Sequence, residues 1–153
     1  MSTTWTDETD RRVKKFISLT VESPIEELFI EALRGMLGAN GYKLILCLGL
    51  DDLYNTLSER PNYIAVSPQV DIGHYRVDFL IAALAGTYKY LVVECDGHEF
   101  HETKKQAALD RRRDRELQLL GYDVFRFTGS EIYNCAPECA MDVVEWLRLS
   151  GDS

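Results

Sequence analysis

The chain has 153 residues, of which 46% are hydrophobic and 27% charged, with four cysteines and a net charge of −8. That length suits one ordinary domain that buries a core without staples, and its longest apolar runs, such as Leu44 to Leu50 and Phe79 to Ala85, are too short to span a bilayer. The acidic balance argues against a domain held on nucleic acid by overall charge, although clustered basic residues can still dock one locally.

Met1 to Thr20 is polar and charged and lacks the apolar segment of a signal peptide, so a cytoplasmic location with no membrane association is expected. A single domain is expected over 1–153, with a helical extension over 8–20 ahead of a core at about 23–149. Ser23-Pro24-Ile25-Glu26 is a helix start: Ser23 caps, Pro24 suits the first helical position, and Glu26 stands where a capping box needs it. Ile25, Leu28, Phe29, Ala32, Leu33 and Met36 then recur at helical spacing, and Gly38 to Gly41 ends the run.

Tyr42 to Gly49 reads as a strand, Asp51 to Glu59 as a short helix, and Tyr63 to Val70 as a strand with Pro68 near its end or at an edge. Tyr75 to Leu84 and Tyr88 to Asp96 are β-rich runs joined by Ala85-Gly86-Thr87, which is hairpin chemistry. Thr103 to Leu120 is a long helix ended at Gly121, Tyr122 to Phe127 a strand, Ser130 the cap of a short turn, and Pro137 to Leu149 a final amphipathic helix. This order predicts an α/β fold with a central mixed sheet and helices on both faces. Cys47, Cys95, Cys135 and Cys139 are expected as free thiols; the spacing of the last two is not that of a zinc knuckle.

The hairpin carries the chemistry. Side chains alternate along a strand, so Asp78, Leu80 and Ala82 are expected on one face and Val77, Phe79 and Ile81 on the other. Tyr90, Val92, Glu94 and Asp96 share a face of the second strand. Both faces are apolar away from the acids, so the hairpin should be buried, and buried charges are paired or metal-bound. With an odd-numbered loop Asp78 lies opposite Glu94 or Asp96 and the carboxylates converge; with an even-numbered loop they separate, and a bulge changes the count. Converging carboxylates call for a divalent cation, and an all-oxygen set favours Mg²⁺ or Mn²⁺. The competing reading is that Asp78 and Glu94 pair with Arg76, Lys89 or an arginine of the following helix.

Four segments together resemble the PD-(D/E)XK, or restriction-endonuclease-like, nuclease superfamily: Tyr75-Arg76-Val77-Asp78-Phe79, Val93-Glu94-Cys95-Asp96-Gly97-His98, Asp110-Arg111-Arg112-Arg113-Asp114, and Gly121 to Phe127. The likeness is to small domains similar to the very-short-patch repair endonuclease, and it covers about Ser23 to Ile132. It implies a restriction-endonuclease-like core and metal-dependent hydrolysis of DNA, with mismatched, nicked or single-stranded DNA among the candidate substrates. Asp78 and Glu94 match the metal-binding acids, and Glu26 matches an acid that such nucleases often bring from the first core helix.

The lysine usual two residues after the second acid is Asp96 here, which stands as a catalytic residue or third ligand. His98, His101, Lys104 and Lys105 are candidates to replace the lysine. His98 and His101 could act as base, phosphate contact or ligand; a zinc site from Glu94, His98 and His101 is less favoured because the strand acids suit a hard cation. Gln69 resembles a glutamine of this branch and either touches the site or closes an edge. Lys104, Lys105, Arg111 and Arg112 are candidates for nucleic-acid contact, and Arg126 for an ion pair with Glu94 or Asp114. Two alternatives to a nuclease are a catalytically inactive nucleic-acid-binding or regulatory domain of the same fold, and a metal-binding interaction module.

Overall fold

A computed structural model of the chain describes residue 21, residues 23–97 and residues 103–150. The expected extension at 8–20 lies outside the described residues, as do His98 and His101. Helix α1 (Pro24–Ala39) is followed by strand β1 (Lys43–Leu46), helix α2 (Gly49–Glu59) and strands β2 (Tyr63–Ile72), β3 (Tyr75–Ala85) and β4 (Thr87–Asp96). Helix α3 (Lys104–Leu119), strand β5 (Asp123–Thr128) and helix α4 (Gly129–Ser150) complete the order. Among the described residues no helix is long and apolar enough to cross a membrane.

The five strands lie in sequence order in one mixed sheet. The outer pairs β1–β2 and β4–β5 are parallel, and the inner pairs β2–β3 and β3–β4 are antiparallel. The acidic hairpin therefore occupies the middle, as its two apolar faces require. On one face Phe29, Leu33 and Leu37 of α1 and Ala140, Val143 and Val144 of α4 pack on Phe79, Ile81, Leu91 and Val93. On the other, Leu53 and Leu57 of α2 and Leu117 of α3 pack on Ala65, Leu80, Ala82 and Val92.

Local signals account for most boundaries. Ser23 Oγ accepts from the Glu26 N–H at the start of α1, and Thr103 Oγ1 accepts from the Gln106 N–H at the start of α3. The first strand is shorter than expected and ends at Leu46; Cys47 still follows the alternation, packing on the α2 face with Ile45, and the chain enters that helix from Gly49. The last helix starts earlier than expected. Thr128, not Ser130, caps it: Thr128 Oγ1 accepts from the Glu131 N–H while Glu131 Oε2 accepts from the Thr128 N–H, a reciprocal capping box. Cys135, with φ −154 and ψ 54, breaks the helix just before Pro137. All four cysteines are free. Pro68 lies in the part of β2 beyond Val66, where β1 has ended, so its missing N–H costs no ladder bond on that side.

Candidate active site

The turn between β3 and β4 sets which carboxylates meet. Ala85 pairs with Thr87 across the single residue Gly86, whose φ of +78 suits glycine in so tight a connection. The connection is odd-numbered, so extending the register one step past Phe79↔Val93 places Asp78 opposite Glu94. The ladder stops at that pair although both strands continue. Beyond it β4 stays with β5, pairing Glu94 with Arg126 and Asp96 with Thr128. Asp78 and Glu94 thus sit where two buried strands part.

The strict alternation expected along β3 fails at this point. Val77 packs in the same cluster as Leu80 and Ala82, whereas Phe79 and Ile81 belong to the opposite one. The same switch occurs in β2, where Ala65 and Val70 lie on one face with Val66 on the other. Its cause is Gln69, which carries a left-handed φ of 51 and interrupts the β2–β3 ladder opposite Asp78. A non-glycine residue held there costs about 1–2 kcal/mol, which its side-chain bonds must offset. Gln69 Nε2 donates to Glu26 Oε1 at 2.6 Å, and Gln69 Oε1 accepts from Arg76 Nε at 3.2 Å.

Each acid has its own support. Asp78 Oδ2 accepts from the Cys95 N–H at 2.8 Å, just past the end of the ladder. Glu94, with a side chain 7% exposed, accepts at Oε1 from Arg113 Nη2 at 2.6 Å. The same nitrogen donates to the Arg76 carbonyl at 2.6 Å. Glu26 is buried at the start of α1, and Ser23 Oγ donates to its Oε2 at 2.7 Å. Asp96 lies 4.0 Å from Arg126, which pairs more closely with Asp114 at 2.8 Å. Glu26, Glu94, Asp96 and Arg126 line one cleft of about 750 Å³. Gly129 forms the tight end of this region: a Cβ there would lie 3.0 Å from Ile25 and 3.3 Å from the Asp96 carbonyl.

Burial, and then the charge of Asp78, push the Glu94 carboxyl up to about 8, with Arg113 opposing. A retained proton and an ion pair are compatible here. With Glu94 protonated, the Arg113 guanidinium still donates to its Oε1 and balances the charge of Asp78. The Cys95 thiol is also pushed up, by burial first and then by Asp78, Glu26 and Glu94 in turn, so all three acids act on it.

The donor set suits a hard cation in part. A raised Glu94 carboxyl facing Asp78 offers a place where a divalent ion substitutes for a proton, and Mg²⁺ commonly takes one or two carboxylates and fills its shell with water and phosphate. Three clustered carboxylates were expected from alternation. Among the described residues, however, no group of three His, Cys, Asp or Glu side chains is disposed to hold one ion. Asp96 is drawn to Arg126, and both oxygens of Glu26 already accept hydrogen bonds.

The four expected phosphate contacts, Lys104, Lys105, Arg111 and Arg112, are all exposed on α3, with Arg112 paired to Glu116. Arg113 is the arginine of the following helix that reaches Glu94, as the competing reading expected. A signal was present. Gln106, Asp110, Arg113 and the buried Leu117 recur at helical spacing and mark the inward face of α3.

No curated protein matches the chain in sequence. The model of a restriction-endonuclease-like family, REase_MTES_1575, matches residues 50–147. The match begins beyond Glu26 and takes in Gln69, Asp78, Glu94, Asp96, Arg113 and Arg126. With the mixed sheet and the acidic hairpin in its middle, and a match over well more than half its length, the chain belongs to this restriction-endonuclease-like family.

Proposed function

We propose that the protein is a Mg²⁺- or Mn²⁺-dependent DNA endonuclease that hydrolyses phosphodiester bonds, with Asp78 and Glu94 as the metal-binding acids. The observation that carries this reading is the facing pair itself, half-buried Asp78 opposite buried Glu94, set where β3 and β4 part. Two facing carboxyls repel one another and the Arg113 guanidinium balances one charge of the two, so the pair is a candidate functional site. A divalent ion bound there would polarise the phosphodiester and lower the pKa of an attacking water.

The chain's own residues have separable tasks. The Cys95 N–H holds Asp78 in place. Arg113 holds Glu94 and brings a fixed positive charge beside the acids, where the superfamily usually has a lysine to stabilise developing charge. Ser23 and Gln69 hold Glu26 at the rim of the cleft, as an outer support for the site. His98 and His101 follow the acids in sequence and remain candidates for moving a proton. The likeness to the very-short-patch branch belongs to the same proposal.

A second reading, a nucleic-acid-binding domain without turnover, is favoured by one observation: Arg113 already occupies Glu94 at 2.6 Å. Incubation with supercoiled plasmid, mismatched duplex and single-stranded DNA in Mg²⁺ and in Mn²⁺ separates the two. The nuclease reading expects cleavage that Asp78→Asn and Glu94→Gln each abolish. Cleavage that survives both substitutions, or gel-shift binding without any cleavage, overturns it.

A further inference from the structure

A second cleft, of about 430 Å³, opens beside Arg113. Gln106 and Asp110 line both this cleft and the acidic one, so the two adjoin across the first turns of α3. The second cleft is built around a layered stack. The Arg113 guanidinium lies 5.2 Å from the Tyr75 ring centroid, and the Tyr75 and His74 rings approach to 4.2 Å with their planes tilted by 41°. The layers are held from several sides: Arg113 by Glu94 and the Arg76 carbonyl, and Tyr75 by its hydroxyl, which donates to Glu116. The stack runs outward from the acid pair and ends on the His74 side chain, which is 80% exposed. The Arg112 side chain, 73% exposed, lines the same cleft.

An exposed imidazole ring beside the exposed Arg112 guanidinium, which also pairs with Glu116, matches the two halves of a nucleotide: base on ring, phosphate on arginine. A paired base in a duplex has both faces covered by its neighbours, so this surface selects an unpaired one. We propose that the cleft is a subsite for an unpaired nucleotide, its base stacked on His74 and its phosphate against Arg112, adjoining the phosphodiester site at Asp78 and Glu94. The ligand class rests on the nuclease reading, but the test does not use cleavage.

The test compares binding of two equally long, equally charged oligonucleotides in EDTA by fluorescence anisotropy. One is oligothymidylate, and the other is the same chain with every base replaced by an abasic tetrahydrofuran. Phosphate contacts and counterion release are matched, so only base stacking differs. The wild type should prefer the base-bearing chain by on the order of tenfold. His74→Ala should bring the two affinities close to parity, and His74→Phe should keep the preference. His74 is exposed in a turn, so these variants should melt with the wild type. Equal wild-type affinities, a preference that survives His74→Ala, or no binding of either chain overturns the subsite. Plasmid cleavage is scored separately. A wild type that cuts plasmid but ignores the bases refutes the subsite alone, and a base preference in a protein that never cuts refutes the nuclease reading alone.

Discussion

Glu94→Gln isolates the proton that Glu94 retains. In the metal-free protein the Glu94 carboxyl holds its proton up to about 8, whereas an ordinary glutamate releases it near 4.5. A carboxyl whose folded-state pKa is raised contributes its stability below the unfolded-state value and loses it as pH rises through the folded-state value. Across that window the folded state binds one proton more than the unfolded state, so stability falls by about 1.4 kcal/mol per pH unit. From pH 5 to pH 8 the wild type should therefore lose on the order of 4 kcal/mol through this group. The side chain is only 7% exposed, so solvent screening reduces this little.

Glutamine reproduces the shape of the protonated acid and does not titrate. The two proteins should melt alike near pH 5 and diverge as pH rises, with the variant the more stable above pH 8. Urea or thermal unfolding in EDTA, followed by circular dichroism across this range, reads the difference, and titrating groups remote from the pair cancel between the two proteins. Wild-type and variant curves that stay parallel from pH 5 to pH 9 would refute the retained proton. A variant that melts far lower at every pH would show Glu94 to be an obligatory carboxylate partner of Arg113.

Mn²⁺ should raise the wild-type melting temperature in proportion to its occupancy and should raise that of Asp78→Asn much less; equal shifts in both would remove Asp78 from the metal site. Arg113→Met leaves buried Glu94 and its neighbour Asp78 without their cation and should destabilise the metal-free protein by about 3–5 kcal/mol at pH 8, with a smaller loss at pH 5, where protonation of Glu94 relieves the pair. Gln69→Gly keeps the left-handed backbone without strain, so by denaturant unfolding it should be more stable than Gln69→Ala by about 1 kcal/mol. Both should fall below the wild type because Glu26 and Arg76 lose their partner; an alanine variant as stable as glycine would mean that the local backbone relaxes.

Much of this protein is legible in its sequence because the signals are local. Ser23-Pro24 and Thr103 open helices by capping, and the two apolar faces of the hairpin require the centre of a sheet covered on both sides. Gly86 makes the turn short enough to bring Asp78 opposite Glu94, and the parity of that turn decides whether the acids meet. Other features depend on contacts between residues distant in the chain. The face switch at Gln69 and Asp78 comes from a left-handed residue stabilised by Glu26, 43 positions earlier in the chain; no periodicity in β2 announces it. Which arginine of Asp110 to Arg115 serves Glu94 depends on the rotation of α3 about its axis, set when Leu117 buries against the sheet. The separation of Asp96 from the acid pair is likewise tertiary, since β5 brings Arg126 alongside β4 and draws that carboxylate away. Alternation gives each side chain a face, but charge pairing across the fold decides which carboxylates remain together.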